Sequence, residues 1–194
     1  MSVTRVLVAN RGEIAVRIIR ACQSMGIGTV AAVSEVDRES MAAQMADRAV
    51  CIGPARSADS YLKVENLIAA AQGTGCDALH PGYGFLSERA ALAQACADNG
   101  ITFVGPSAEN ITMMGDKLEA RMIARSASVP LVPGSDQAKG PREAARLAEE
   151  IGYPLLLKAS AGGGGRGIKL VNRSREIEET FRMAAAEARA AFGN

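Results

Sequence analysis

Tyr153-Pro154-Leu155-Leu156-Leu157-Lys158-Ala159-Ser160-Ala161-Gly162-Gly163-Gly164-Gly165-Arg166-Gly167-Ile168-Lys169-Leu170-Val171 joins two apolar runs through a segment in which five of nine residues are glycine. Consecutive glycines cost backbone entropy, and that cost is tolerated where bare amides must approach something closely. Lys158 and Arg166 border the loop, so what approaches is expected to be anionic, with a phosphate the first candidate. Gly162-x-Gly164-x-x-Gly167 formally matches a dinucleotide fingerprint, which requires a helix to open at the glycines. Ile168-Lys169-Leu170-Val171 alternates and is β-prone instead. A Walker-type loop also fails, because Ile168 stands where Lys-Ser/Thr would follow. Strand, glycine loop, strand remains: a hairpin flap able to fold over a triphosphate, or a bare surface hairpin.

Around it, the chain has 194 residues, 48% of them hydrophobic and 22% charged, an ordinary globular composition with enough apolar content for a core. A net charge of +1 gives no electrostatic footprint for nucleic acid or an anionic membrane, and 4% aromatics without Trp disfavours a base-stacking platform. No apolar run approaches the roughly 20 residues of a membrane span, and the chain enters a strand directly after Thr4, so no targeting peptide is expected. Cys22, Cys51, Cys76 and Cys96 are scattered without metal-site spacing and are expected to be reduced, small core residues of a cytoplasmic protein. His80 is the one histidine, which excludes a centre built on several.

Short β-branched runs alternate with amphipathic ones. Arg5–Ala9, Thr29–Ser34, Ala49–Ile52, Ala78–Leu79 and Thr102–Val104 are the expected strands. Helices are expected over Glu13–Met25, around Ser40–Ala46, over Tyr61–Gln72 with Leu62, Leu67, Ile68 and Ala71 on one stripe, and over Glu88–Asn99 with Ser87 as N-cap. In the first helix Ile14, Ile18 and Cys22 share the core face. This alternation predicts an α/β fold with a parallel sheet covered on both faces. After Gly105-Pro106 the pattern changes: Ser107–Ala127 is helical with a break near Gly115-Asp116-Lys117, and Val129–Ser135 is extended and Pro-rich. Pro141 opens a helix to Ile151, the hairpin follows, and a helix over Arg175–Ala191 ends the chain. The last unit has too few strands for a complete sheet, which suggests truncation.

Two turns lie at carboxyl ends of strands, where open α/β sheets bind ligands. Asn10-Arg11-Gly12-Glu13 is either a site-facing turn or a tight turn whose Glu13 complements a helix N-terminus. In His80-Pro81-Gly82-Tyr83-Gly84-Phe85, the glycines and proline fix the backbone and Tyr83 either projects or plugs the core, while His80 is expected to hydrogen-bond locally. Lys117 sits on a helix before the domain boundary; Lys158 ends a strand against the glycine loop as a compact point charge, and Arg166 offers a planar fork. The pairs Glu149-Glu150 and Glu178-Glu179 read as solvated helix faces rather than metal ligands.

Together these motifs resemble the biotin carboxylase component of biotin-dependent carboxylases such as acetyl-CoA or propionyl-CoA carboxylase, an ATP-grasp family. The resemblance runs over nearly the whole chain: Ala9–Ala15, Cys51–Pro54, Ser60–Leu62, His80–Glu88, Met114–Lys117, Val132–Ser135 and Lys158–Gly167. It implies a Rossmann-like, pre-ATP-grasp N-terminal α/β domain over residues 1–115, a helical linker over 116–133, and an incomplete ATP-grasp lid with its glycine hairpin over 134–194. It further implies that Lys117, Lys158, Gly163, Gly164, Gly165, Arg166 and Ile168 bind ATP, with Ile168 on the adenine, and that Tyr83 and Gly84 line the biotin pocket. Arg17 and Arg20 resemble homodimer-interface positions of the full-length enzymes. The implied chemistry is ATP-dependent carboxylation of biotin on a carrier protein by bicarbonate, through carboxyphosphate. Its implied partners are a biotin carboxyl carrier protein or domain and a carboxyltransferase; neither nucleic acid nor membrane is expected.

Departures from the family pattern are Ala161, where a further glycine can stand, Arg48 at a commonly acidic position, and Ser24 where an acidic interface residue can occur. Family members continue well beyond residue 194, carrying the Mg²⁺ ligands, the bicarbonate-binding arginine and the catalytic base, so no catalytic residue is assigned and the chain alone is expected to turn over no ATP. Two rival readings are another ATP-grasp ligase of carbamoyl-phosphate synthetase type and a non-catalytic association module presenting its first helix.

Overall fold

The computed structural model describes residues 2–115, 117–132, 134–135, 138–158 and 168–192. The chain divides into two compact units, Met1–Gly115 and Asp116–Asn194. In the first, β1 (Arg5–Val8), β2 (Gly28–Val33), β3 (Arg48–Cys51), β4 (Ala78–His80) and β5 (Thr102–Phe103) form a sheet in the order β3-β2-β1-β4-β5. Every pairing is parallel, with Leu7 opposite Val30 on one side and Leu79 on the other. The middle of each central strand (Val6–Val8, Val30–Val33, Ala78-Leu79) is continuously apolar because both faces are covered. Leu7, Val30, Ala32 and Leu79 pack with Leu67, Ala71 and Leu92, which come from α3 (Val64–Gly73) and α4 (Ala90–Asp98). Val6, Val8, Ala31 and Val33 turn the other way, toward α1 (Gly12–Ser24) and α2 (Met41–Met45). Residues of alternating parity thus build two cores from one strand set.

The buried stripe of α1 is Ala15, Ile18, Ile19 and Cys22, a 3.6-residue periodicity; Ile14 is half-buried. At the amino-terminal edge Asp47 ties β2 to the start of β3: Thr29 donates its amide (2.7 Å) and hydroxyl (3.0 Å) to the Asp47 carboxylate, and the Asp47 amide donates back to the Thr29 hydroxyl at 3.2 Å.

Three local expectations are corrected. Helix α3 opens at Val64, not Tyr61, because Tyr61 and Leu62 follow a 3₁₀ turn at Ser57–Asp59; Tyr61 is fully buried outside the helix while Leu62 is 42% exposed. Ser87 caps nothing: its amide donates to the Gly84 carbonyl in a turn, and α4 begins three residues later with Arg89 at its N-cap. Cys22, Cys76 and Cys96 are buried, but Cys51 is exposed on β3, an edge strand.

The last helix of the first unit is α5 (Ala108–Gly115). The second unit contains α6 (Lys117–Ser126), α7 (Pro141–Ile151), the strands β6 (Leu155–Lys158) and β7 (Ile168–Val171), and α8 (Ile177–Phe192). The two strands pair antiparallel, so the glycine segment connects a hairpin and not a strand to a helix. Leu155, Leu157 and Val171 point toward α7 and α8, where they meet Ala144, Ala148, Ile177 and Phe181. Among the described residues, no helix is long and apolar enough to cross a membrane.

Candidate functional site

β1 is followed in sequence by its neighbour on one side, β2, and β4 by its neighbour on the other, β5, so the direction of winding reverses between β1 and β4. Open α/β sheets leave a crevice at the carboxyl ends of such a pair. The two turns singled out from the sequence meet there. Asn10 is 5% exposed; its Nδ2 donates to the Pro81 carbonyl at 2.7 Å and the Tyr83 carbonyl at 2.9 Å, while its Oδ1 accepts the Arg11 amide at 2.9 Å. One side chain after β1 therefore holds the turn after β4.

Gly82 shows why that turn needs glycine. Its φ is +66°, and a Cβ there would lie 2.6 Å from Ile14 Cγ2 and 2.8 Å from Asn10 Nδ2. The Gly82 amide donates to His80 Nδ1 at 3.0 Å. Burial lowers the His80 pKa, so the ring is held neutral with Nδ1 as acceptor. His80 is a local hydrogen-bonding residue in this fold. Tyr83 projects, 65% exposed, and its hydroxyl donates to Glu13 Oε1 at 3.1 Å, a bond that raises the phenol pKa. Gly84 follows at φ +70° with open space where a Cβ would stand. Glu13 is thus both a first-turn acid of α1 and the acceptor for Tyr83.

Behind the turn, Tyr61 donates to Asp37 Oδ2 at 2.8 Å and accepts the Ser34 amide at 3.1 Å. Burial pushes its phenol up to about 12. No residue pattern announced this partnership, since Asp37, Tyr61 and the turn are far apart in sequence.

In the second unit, Lys158 and Ile168 are cross-strand partners at the mouth of the hairpin, and Leu156 pairs with Leu170 one step further in on the same face. That face is open: Lys158 is exposed, with Leu156 at 56%, Ile168 at 41% and Leu170 at 59%. Lys169 points the other way and its Nζ donates to Glu187 Oε1 on α8 at 2.7 Å. Leu156 and Leu170 were not singled out from the sequence, although period-two alternation about Lys158 and Ile168 carries the signal. Gly163, Gly164, Gly165 and Arg166 lie outside the described residues. Lys117 opens α6, and its side chain likewise lies outside the described residues.

Arg17 and Arg20 are both exposed and stand three residues apart on α1, sharing its outer face. Ser24 folds its hydroxyl back onto the Ala21 carbonyl at 2.8 Å. Of the acidic pairs, Glu150 bridges Arg146, Glu149 accepts from Ser174 and Glu178 bridges Arg182, all on exposed surfaces. Among the described residues, no group of three or more His, Cys, Asp and Glu side chains could hold a metal ion.

Residues 2–111 match the family described as biotin carboxylase, N-terminal domain, and residues 116–194 match the carbamoyl-phosphate synthase L chain, ATP binding domain. The biotin carboxylase of Nostoc sp. is 52% identical over 195 residues, covering 100% of this chain and 44% of that protein. The biotin carboxylase β-γ-ATP complex of Campylobacter jejuni is similar in fold with a TM-score of 0.87 at 45% identity, over 100% of this chain and 44% of that one. The biotin carboxylase domain dimer of Hydrogenobacter thermophilus 2-oxoglutarate carboxylase, in complex with MgADP, ADP and bicarbonate, gives a TM-score of 0.83 at 48% identity over 100% and 43%. The chain therefore spans less than half the length of these relatives.

Proposed function

The chain belongs to the biotin carboxylase N-terminal domain family, and from that premise we propose that it is the N-terminal part of an ATP-dependent carbon–nitrogen ligase. The whole enzyme would activate bicarbonate with ATP through carboxyphosphate and carboxylate biotin on a carrier protein or domain, for use by a carboxyltransferase. The observation that carries the reading is the hairpin: a lysine at the end of β6 stands opposite Ile168, on an open apolar face, at the root of a glycine-rich segment. A flat base can lie on Leu156, Ile168 and Leu170 while the Lys158 ammonium and the loop amides meet phosphate oxygens.

Tyr83 and Gly84, at the switch point, are the proposed biotin-facing pair. Lys117, Lys158, Gly163, Gly164, Gly165, Arg166 and Ile168 are the proposed ATP contacts, Arg17 and Arg20 the proposed dimer contacts. The MgADP of the Hydrogenobacter relative and the nucleotide of the Campylobacter one support ATP and Mg²⁺ as ligands. No described cluster suits the metal, so its ligands are proposed to lie in the part of the relatives that this chain does not span. Residues 1–115, 116–133 and 134–194 are proposed as sheet domain, linker and partial lid.

The test is ATP hydrolysis by the complete polypeptide and by the 194-residue chain. Turnover that needs both bicarbonate and free biotin is expected of the first, and none of the second. Clear turnover by the 194-residue chain would refute the division of labour. Turnover of the complete polypeptide indifferent to biotin would favour the carbamoyl-phosphate synthase reading that the match over residues 116–194 leaves open. Sedimentation of the chain with and without ATP addresses the association-module alternative: self-assembly with no effect of nucleotide would favour that module.

A further inference from the structure

Phe85 departs from what its residue type prefers. Its φ is +46°, in a turn where Gly82 and Gly84 also have positive φ. A bulky L residue holds that conformation only where its surroundings over-determine it, and glycine would adopt it without strain. The chain nevertheless places a ring there. That ring stacks on Tyr61 with centroids 5.1 Å apart and planes 10° from parallel. The Arg11 guanidinium lies over it, 5.8 Å from the centroid. Arg11 also approaches Asp37 at 3.9 Å, and Asp37 accepts from Tyr61 at 2.8 Å and from the Ser34 hydroxyl at 2.7 Å.

The contacts form a closed circuit: Arg11 after β1, Asp37 after β2, Tyr61 before α3 and Phe85 after β4. Each link joins a different connection at the carboxyl edge of the sheet. Phe85 is half-buried against the edge of the core, a place that a residue free of backbone strain could also fill, and none of these four residues is assigned a part in the proposed chemistry.

We propose that Phe85 is a positioning residue for biotin: its ring, seated on Tyr61 and under Arg11, holds the left-handed backbone that aims Tyr83 and Gly84 into the switch-point crevice. The proposal rests on the reading of Tyr83 and Gly84 as the biotin-facing pair. Asn10 fixes the near end of the turn through the Pro81 and Tyr83 carbonyls; Phe85 fixes the far end. Between these two anchors Gly84 is tied by the Ser87 amide on its carbonyl at 3.0 Å, with open space where a Cβ would stand. Loss of the ring should therefore loosen Tyr83 and Gly84 before it loosens the sheet.

The test compares Phe85→Gly, Phe85→Leu and Phe85→Tyr in the complete polypeptide. Phe85→Gly permits the positive φ without strain but deletes the ring that holds it, so a raised KM in this variant cannot come from backbone strain. Phe85→Gly and Phe85→Leu are each expected to raise KM for free biotin about tenfold, from the lost ring stack and cation–π contact, with KM for ATP changed less than about twofold. Phe85→Tyr, which keeps the ring, should restore the wild-type KM. An unchanged biotin KM in Phe85→Gly, or parallel rises for biotin and ATP that follow a fall in Tm, would overturn the proposal. If the wild-type polypeptide shows no biotin-dependent turnover, the functional reading fails, and positioning is then read from the 194-residue chain alone. Amide exchange at Tyr83–Leu86 should quicken in Phe85→Leu and return in Phe85→Tyr; equal exchange in all three would sink it.

Discussion

Asn10→Asp is the smallest perturbation that inverts a contact in the candidate site. The two side chains have the same shape, and the acceptor for the Arg11 amide is retained. What changes is the atom facing the Pro81 carbonyl at 2.7 Å and the Tyr83 carbonyl at 2.9 Å, from a donor to an oxygen. Two hydrogen bonds become two repulsions at a residue only 5% exposed. Each lost bond with its stranded carbonyl costs about 1–2 kcal/mol, so the variant should lose about 3 kcal/mol. Domains of this size have roughly 5–15 kcal/mol in total, and about 4 °C of Tm accompanies each kcal/mol, which places the fall in Tm near roughly 12 °C.

The deficit has a pH signature. Two carbonyls disfavour the charged form of the introduced carboxyl and would accept a hydrogen bond from its protonated form, so its pKa is raised in the folded state. A raised group contributes stability that is present at low pH and lost as pH rises through the folded-state value. The gap between wild type and Asn10→Asp should therefore narrow in acid and widen toward neutrality. Calorimetric or circular-dichroism melts of the 194-residue chain across that range measure it, with amide exchange over residues 80–87 reporting the turn. A variant melting within about 2 °C of wild type at neutral pH would refute the claim that Asn10 holds the turn.

Three further outcomes follow from the same geometry. Gly82→Ala should cost at least about 3 kcal/mol, because its Cβ would overlap Ile14 and Asn10, whereas Gly84→Ala, with the same sign of φ and open space, should cost about 1 kcal/mol in urea titrations. His80 has a depressed pKa, so its contribution is complete above the ordinary value of 6.5 and is lost as pH falls below it; His80→Asn, which keeps an acceptor for the Gly82 amide, should flatten that part of the stability–pH curve. Thr29→Val should cost about 1 kcal/mol near neutral pH, water at the exposed Asp47 limiting the loss, and the cost should shrink in acid as the Asp47 carboxyl, held low first by the Thr29 amide and then by its hydroxyl, becomes protonated.

What was legible in the sequence is what depends on local pattern. Val6-Leu7-Val8 and Val30–Val33 are apolar at every position, which already requires a sheet covered on both faces, and the observed sheet is parallel throughout. The hairpin was legible because Ile168-Lys169-Leu170-Val171 alternates where a nucleotide-binding helix would have to start, and β7 is a strand. The missed features depend on contacts that spacing does not encode. Tyr61 and Leu62 fit the helical stripe of Leu67 and Ile68 by number, yet the Tyr61 hydroxyl belongs to Asp37 and Ser34, and that partnership pulls it out of the helix. Ser87 has the composition of an N-cap, but its turn is closed by its amide on Gly84. The Asn10 bonds to Pro81 and Tyr83 span 71 and 73 residues, so only the pairing of β1 with β4 creates them.

The two regions assigned to ligands follow opposite physical strategies, which constrains how each can bind. At the switch point, the turn is held by Asn10, His80 and the Phe85 ring before any ligand arrives. A ligand there loses little to ordering of the protein, and its affinity depends on the accuracy of the walls. A displacement of the Gly84 backbone would therefore appear as a raised KM rather than as unfolding. On the hairpin, Leu156, Ile168 and Leu170 leave apolar surface in water beside a lysine. Covering roughly 120 Å² of that surface, less than half of it, is worth roughly 3 kcal/mol at about 25 cal/mol per Å². That gain is available to any flat apolar ring, so the face alone discriminates poorly among bases. Selectivity for a triphosphate must then come from charge, and Lys158 is the described group on that face able to supply it. Leu156→Ser and Lys158→Gln should accordingly differ in kind: the first weakens nucleoside and nucleotide alike, the second weakens the nucleotide alone.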